Sequence, residues 1–308
     1  MPTRTKKGAE KTMNKKKKKH TKYKKSKHHD KQTKKFKKLN CSPTARLGYS
    51  CYTPELLSRL KTEWNATHLT KKIKSNEPYK IWNKLKNNLL DKCDTEQCWL
   101  EQPFMYNKTD SRFERQTFAP KAPNTWKKNP NEWLNSNDLI RVMRQYEYVF
   151  PHFRFIGPSP IDFDKKKLFG QCVWNDLCKF NLASYIKKGV TKIGIIFNTD
   201  PHYLNGAHWI CLFINLKKKF IYYFDSNADD TPKEIRILIN RIKSQAKANG
   251  ITLNEYTNYT EHQKSDTECG MYVLYILLTL LITNHFPKIF KKRIPDKEME
   301  KLRKVLFN

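Results

Sequence analysis

The chain has 308 residues, of which 38% are hydrophobic and 13% aromatic, and its formal net charge is +32. This length and composition exclude a chain that is disordered throughout, and they allow one large domain or two modest ones. Residues 1–40 contain 18 Lys/Arg and 2 Asp/Glu, so half of the net charge lies in about an eighth of the chain.

Residues 1–40 have low sequence complexity and include the unbroken run Lys15–Lys19. Such a segment cannot bury enough apolar surface to offset its ordering entropy, so we predict a disordered tail. It could serve as a solubilising or localisation tail, or it could contact DNA or another polyanion, and both roles are compatible.

No apolar stretch follows the charged N-terminus, which predicts that the chain has no signal peptide and is not secreted. The longest apolar run, Met271–Ile282, has 12 residues. A membrane-spanning helix needs ~20 apolar residues, so we predict a buried helix here and no membrane partner.

Eight cysteines in a chain of this length do not suggest a disulfide framework, so we expect a soluble intracellular protein with reduced thiols. The four-residue gap between Cys93 and Cys98 could suit zinc, helped by Cys41 and Cys51. Small buried side chains are the favoured interpretation, and we predict neither a metal nor a cofactor.

Residues 41–125 are predicted to form a helical N-terminal arm. Thr53-Pro54-Glu55 is typical of a helix start, and a second helix should follow Glu77-Pro78. Several prolines mark the linker out of the arm: Pro120, Pro123 and Pro130.

Residues 126–308 are predicted to form a second domain, in which helical and strand patterns are mixed. Ser136 is predicted to cap one helix, Pro232 to open another, and a third should begin at about Cys269. The predicted strands are Ile193–Asn198, His208–Leu216, Phe220–Phe224 and Ile251–Tyr259. The fold class is therefore α+β, with a central mixed sheet flanked by helices.

His208 opens one strand of a predicted hairpin, and Asp225 follows the other. The start of one hairpin strand lies next to the end of its partner, so both side chains should meet at one edge of the sheet. An imidazole and the carboxylate that orients it require this arrangement.

Cys269 is predicted to be the first residue of the long apolar helix, where the helix N-terminus favours a thiolate. Gly270 leaves space for the backbone around this nucleophile. Gln263, six residues earlier, could donate to the oxyanion of a tetrahedral intermediate together with the Cys269 N–H.

Each of these residues alone is more often structural than catalytic, so the prediction rests on their joint occurrence. Cys211 lies inside a strand, and Cys172 and Cys178 have no evident base nearby. His202 precedes His208 by six residues but has no strand context.

The motifs Ala207-His208-Trp209, Phe224-Asp225-Ser226 and Gln263 with Cys269-Gly270 resemble the SUMO-protease clan of cysteine proteases, which includes the adenovirus protease. The resemblance implies that residues 126–308 are a cysteine protease catalytic domain, with a catalytic set of His208, Asp225, Gln263 and Cys269. It also implies that Trp209 and Trp133 sandwich a substrate Gly-Gly, because two indole faces admit only backbone without side chains.

The segment Phe155–Phe163 and the sequence around Gln263 and Cys269 look like the thiol proteases of nucleocytoplasmic large DNA viruses, of the giant-virus and African swine fever virus type. This resemblance implies an enzyme that processes viral structural polyproteins in the virion and at assembly sites in the host cytoplasm. Two alternatives stay open: an isopeptidase acting on SUMO or ubiquitin-like conjugates, and a nucleic-acid-binding structural protein of the virion.

Overall fold

The computed structural model describes residues 35–45, 47–106, 108, 111–283 and 290–308. The greater part of the predicted tail, residues 1–34, lies outside the described residues. Residues 35–308 form one compact unit. Phe36 already packs against the core of the arm, and Asn40 donates to the C-terminal residue Asn308 through a backbone-to-side-chain hydrogen bond of 2.6 Å.

One mixed sheet organises the described part of the catalytic region. Its strands, in spatial as well as chain order, are β1 (Phe153–Pro160), β2 (Lys192–Asn198), β3 (Trp209–Asn215), β4 (Phe220–Phe224) and β5 (Asn254–Thr257). β1 pairs with β2 and β4 pairs with β5 in parallel, whereas β2, β3 and β4 are antiparallel. The predicted α+β class with a central mixed sheet is confirmed.

Helices cover both faces of this sheet, because alternate residues of its central strands are apolar on both sides. Phe213 of β3 faces one core, formed with α5 (Ser136–Val149), α9 (Cys269–Thr283) and α10 (Asp296–Leu306). Leu212 faces the other core, to which three further helices contribute: the short α6 (Asn175–Cys178), α7 (Leu182–Lys187) and α8 (Lys233–Ala248).

The arm has its own hydrophobic core. Its helices are α1 (Pro54–Thr67), α2 (Pro78–Leu89), α3 (Gln97–Leu100) and α4 (Ser111–Thr117). Thr53 caps α1 by accepting a hydrogen bond from the Leu56 N–H, and Leu57, Leu60 and Trp64 are buried as the helical periodicity predicts. The predicted boundary between arm and catalytic domain near residue 125 stays a prediction.

Several predicted element boundaries needed correction. Asn135, rather than Ser136, caps α5, since Asn135 and Asp138 form a reciprocal capping box. The predicted strand Ile251–Tyr259 is reduced to Asn254–Thr257. β1 was not predicted, because Gly157 and two prolines interrupt its apolar pattern. Gly157 adopts φ +100°, and a Cβ there would lie 2.5 Å from the Ile196 carbonyl oxygen.

The prediction that all cysteines are reduced thiols was wrong. Disulfides join Cys41 to Cys51, Cys93 to Cys98, and Cys172 to Cys178. Each links residues 5 to 10 positions apart, so these are local loop closures. Chain length bears only on disulfide frameworks that hold a small core together, and it does not exclude such local closures. Cys93 and Cys98 are bonded to each other, so neither is an isolated buried thiol nor a zinc ligand.

No helix in the described ranges has both the length and the apolarity to cross a bilayer. Among the same residues, no three His, Cys, Asp or Glu side chains are grouped so that they could hold a metal ion.

Candidate active site

The β3–β4 hairpin brings His208 and Asp225 together at one edge of the sheet. The last antiparallel pair of the hairpin joins Cys211 to Phe224, so the residues that precede β3 and follow β4 meet there. His208 Nε2 lies 2.7 Å from Asp225 Oδ1. The carboxylate side chain is 3% exposed and the imidazole 15%, so both are largely shielded from water.

The position of Asp225 is fixed by the turn that follows it. Its Oδ1 also accepts a hydrogen bond from the Asn227 N–H, at 2.9 Å. Its backbone carbonyl accepts one from the side-chain amide of Asn258, at 2.6 Å. The carboxylate therefore meets the imidazole in a geometry set by the backbone.

His208 also interacts with the Cys269 side chain. Burial alone would lower the pKa of His208, but hydrogen bonds with Asp225 and Cys269, together with the attraction of their negative charges, raise it to about 10. Since Nε2 is bonded to Asp225, Nδ1 is the ring nitrogen left for the thiol. A pKa raised in this way favours the cationic form of the imidazole at neutral pH.

Cys269 is the first residue of α9 and is 2% exposed, with a free thiol. The residue before it, Glu268, forms a buried ion pair with Arg303 of α10, in which one guanidinium nitrogen, Nη2, lies 3.0 Å from both carboxylate oxygens. Arg303 also donates to the Glu132 carbonyl oxygen, at 2.8 Å. This pair ties the start of α9 to α10 and to the segment that leads into Trp133.

Burial raises the pKa of Glu268, although the opposing charge of Arg303 lowers it. Sequence reasoning missed this pair, because 35 residues separate its members and neither belongs to a local pattern.

Gln263 fastens the loop before Cys269 to the turn after Asp225. Its Oε1 accepts from the Ser226 hydroxyl at 2.8 Å, and its Nε2 donates to the Ser265 carbonyl oxygen at 2.5 Å. Nε2 carries a second N–H, which this contact leaves unused. Its neighbour His262 accepts from the Ile294 N–H at 3.0 Å, and burial lowers the pKa of His262 to about 4. His262 is therefore a neutral packing residue.

Trp133 and Trp209 line the same cleft, which has a volume of about 540 Å³. Trp209 is buried and donates from Nε1 to the Leu134 carbonyl oxygen at 2.8 Å, whereas Trp133 is 45% exposed. Gly270 packs beneath this segment, where an added Cβ would lie 2.9 Å from the Leu134 Cβ. The two indoles and the backbone around Cys269 are therefore held together through Leu134.

His202 lies in the wall of the cleft, away from the His208 pair. Its Nδ1 is 2.7 Å from Asp162 Oδ2, and its N–H donates to Asp162 Oδ1 at 2.9 Å. The molecule thus contains a second histidine–aspartate pair, but the pKa of His208 responds to Cys269 and Asp225 and not to this pair.

Residues 187–308 match the family model described as the Ulp1 protease family, C-terminal catalytic domain. The match contains all four predicted catalytic positions. Over these residues the chain carries a Ulp1-like cysteine protease domain. The protease is 28% identical over 243 residues to a thiol protease of Acanthamoeba polyphaga mimivirus, with 76% of each chain covered.

The protease is also 26% identical over 235 residues to a SUMO-1 cysteine protease of African swine fever virus, covering 70% of this chain and 83% of that one. A crystal structure of the African swine fever virus protease superimposes with a TM-score of 0.62 at 21% identity, covering 87% of this chain and 95% of the other. That likeness shows a shared fold.

We expect His208 to titrate near pH 10 in the folded protease, measured by NMR of labelled histidine. Replacing Asp225 with Asn should lower the pKa of His208 markedly, because burial remains and the balancing charge is lost. Asp162→Asn is the matched control, since it disturbs the His202 pair only. A wild-type His208 that titrates near 6.5, or an equal response to both substitutions, would contradict the assignment.

The same shift sets the sign of the pH dependence of stability. The pKa of His208 is higher in the folded chain than its ordinary value of 6.5. The pairing therefore stabilises the fold fully below about pH 6.5, and this contribution is lost as pH rises through about 10. Urea unfolding across this range should show a larger contribution in the wild type than in Asp225→Asn, in which only Cys269 still raises the pKa of His208.

Arg303→Met should destabilise the protease by ~3–5 kcal/mol, because it leaves Glu268 buried without a partner. The double variant Glu268→Gln/Arg303→Met should recover much of this loss. Arg241→Met is the control, since its pair with Asp164 is 27% and 33% exposed, and it should cost ~1 kcal/mol or less. Equal losses in urea unfolding for the two single variants would refute the special role of the Glu268 pair.

Proposed function

We propose that this cysteine protease is an endopeptidase that cleaves after Gly-Gly or Gly-x-Gly, with Cys269 as its nucleophile. One observation carries the proposal. His208 interacts with both the Cys269 thiol and the Asp225 carboxylate, and its chain neighbours Ala207 and Trp209 line a cleft together with Trp133.

The first step is activation of the thiol. His208 takes the proton of Cys269 on Nδ1 and forms an imidazolium–thiolate pair. Asp225, bonded at Nε2, holds the tautomer and orientation of the ring and balances its charge. The N-terminus of α9 favours the thiolate, since the first N–H groups of a helix have no partner within it.

The thiolate sulfur then bonds to the carbonyl carbon of the scissile glycine, and the π electrons move to the carbonyl oxygen. The N–H of Cys269 and the second N–H of the Gln263 amide stabilise this oxyanion, contributing ~3 kcal/mol. His208 protonates the leaving amine as the C–N bond breaks. Water, deprotonated by His208, then hydrolyses the thioester and regenerates the thiol.

Specificity for glycine follows from the position of the indoles. Cys269 packs in the same cluster as Leu134 and Trp209 and is almost fully buried. We propose that a polypeptide reaches the sulfur by passing between Trp209 and Trp133. Backbone without side chains fits such a slot, whereas a β-carbon would meet an indole face.

We propose that the substrates are structural polyproteins of a large DNA virus and that the protease works inside the virion. The named viral relatives support this setting. The three disulfides favour a compartment that is more oxidising than the cytosol. The proposal also includes assembly sites in the host cytoplasm. The suggested binding of DNA or another polyanion by residues 1–40 stays a prediction that falls mainly outside the described residues.

A deconjugating isopeptidase would use the same catalytic chemistry and is the alternative function. One relative is named a SUMO-1 cysteine protease, which is the reason to test this alternative. Incubation with a ubiquitin-like precursor and, in parallel, with viral polyprotein would separate the two functions. A virion structural protein that binds nucleic acid without proteolysis would process neither substrate.

In a peptide library spanning both sides of the scissile bond, we expect cleavage after Gly-Gly or Gly-x-Gly. Cys269→Ala and His208→Ala should lower kcat/KM by roughly 10⁴-fold or more. Cys211→Ala is the matched control, because Cys211 is the other free buried thiol among the described residues and lies inside β3. Full activity of Cys269→Ala would contradict the proposal.

The slot between the indoles has a separate test. Replacing the substrate glycine one residue before the scissile glycine with alanine should lower kcat/KM by roughly 100-fold, because the scissile carbonyl is displaced from the sulfur. Trp133→Ala should reduce this penalty, since it opens the exposed side of the slot. Tyr148→Ala, an exposed aromatic outside the cleft, serves as the control. If the alanine substrate lost as much kcat/KM with Trp133→Ala as with the wild type, Trp133 would not form part of the slot.

A further inference from the structure

A groove of about 550 Å³ crosses the arm, between the segment that follows α1 and one face of α2. Five of its nine lining residues are lysines: Lys71, Lys72, Lys74, Lys80 and Lys84. No acidic, arginine or aromatic side chain is among the nine, all of which lie in the described part of the chain. We call it the lysine groove.

The segment that carries the first three lysines is fixed onto α1. Asn65 of α1 both donates to the Ile73 carbonyl oxygen at 3.0 Å and accepts from the Ile73 N–H at 2.7 Å. Trp64 donates from Nε1 to the Lys71 carbonyl oxygen at 2.9 Å, and Ile73 is buried. The lysine side chains therefore project from a backbone held in place by the fold.

The opposite wall follows the helical repeat of α2. Its inner face is buried in the core of the arm, and the face toward the groove carries only lysine and asparagine. The groove-facing residues have helical spacing: Lys80, Asn83, Lys84 and Asn88. The two walls thus place ammonium and amide groups opposite one another.

This positive charge is not compensated within the described residues. Lys71, Lys72, Lys74 and Lys84 form no ion pair there, and Lys80 forms only an exposed pair with Glu77 at 2.7 Å. Several like charges around one concave surface raise the local potential and concentrate anions.

We propose that the lysine groove binds the phosphate backbone of nucleic acid. Lysine ammonium groups are point charges that neutralise successive phosphates, and asparagine and serine side chains commonly donate to phosphate oxygens. A protein partner fits less well, because the cores of protein interfaces are enriched in aromatic residues and arginine and depleted in lysine. With no aromatic platform in the lining, binding is through the backbone and independent of sequence.

Lysine acetylation of the full chain, read by mass spectrometry, tests this site separately from residues 1–34. A 20-base-pair DNA duplex should protect Lys71, Lys72, Lys74 and Lys84 from acetylation and leave the exposed β3–β4 turn residues Lys217 and Lys218 reactive. Protection confined to residues 1–34 would overturn the proposal. Equal protection of the groove by poly-glutamate at the same charge concentration would overturn the assignment to nucleic acid.

The same full chain carrying Lys71→Glu/Lys74→Glu/Lys84→Glu should bind the duplex more weakly. The slope of log Kd against log salt should fall by about 3, because three phosphate contacts are lost. Lys187→Glu/Lys217→Glu/Lys218→Glu is the matched control of equal charge change, and all three of its positions are exposed. Both variants should keep wild-type peptide cleavage. An equal loss of DNA binding in both variants would mean that only the net charge of the protein matters, and it would refute the site.

Discussion

The register of the β3–β4 hairpin is the constraint on which the candidate active site depends. Pairing of Cys211 with Phe224 brings His208 and Asp225 to one sheet edge at a separation of 2.7 Å. A slip of one residue would send alternate side chains to the opposite face, so both cores of the sheet would oppose it. The burial that stabilises the fold therefore also enforces the geometry of the imidazole and carboxylate.

Cys269 is brought to this edge by contacts that are more distant in sequence. Ser226, one residue after Asp225, bonds to Gln263 in the loop before the thiol. The buried pair between Glu268 and Arg303 holds the start of α9. Removing a charge from water is costly, and an ion pair limits that cost only when both partners are held in place. The position of the Cys269 thiol is therefore fixed by the ion pair that holds the preceding residue, Glu268.

The hairpin, α1 and the start of α9 could be predicted from the sequence, because local periodicity and capping residues determine them. β1 could not, since Gly157 and its neighbouring prolines interrupt the apolar pattern although the strand is buried. The Glu268–Arg303 pair and the lysine groove depend on tertiary contacts that no local pattern encodes. The disulfides could not be predicted, because cysteine spacing does not show which cysteines pair with each other.

Covalent capture of the nucleophile tests the central claim most directly. A peptide ending in Gly-Gly with a vinyl ester in place of the scissile bond should be added to the full chain at neutral pH. Tandem mass spectrometry should place a single adduct on Cys269, and His208→Ala should slow its formation. An adduct on Cys211 or on one of the cysteines that form disulfides, with Cys269 unmodified, would contradict the account.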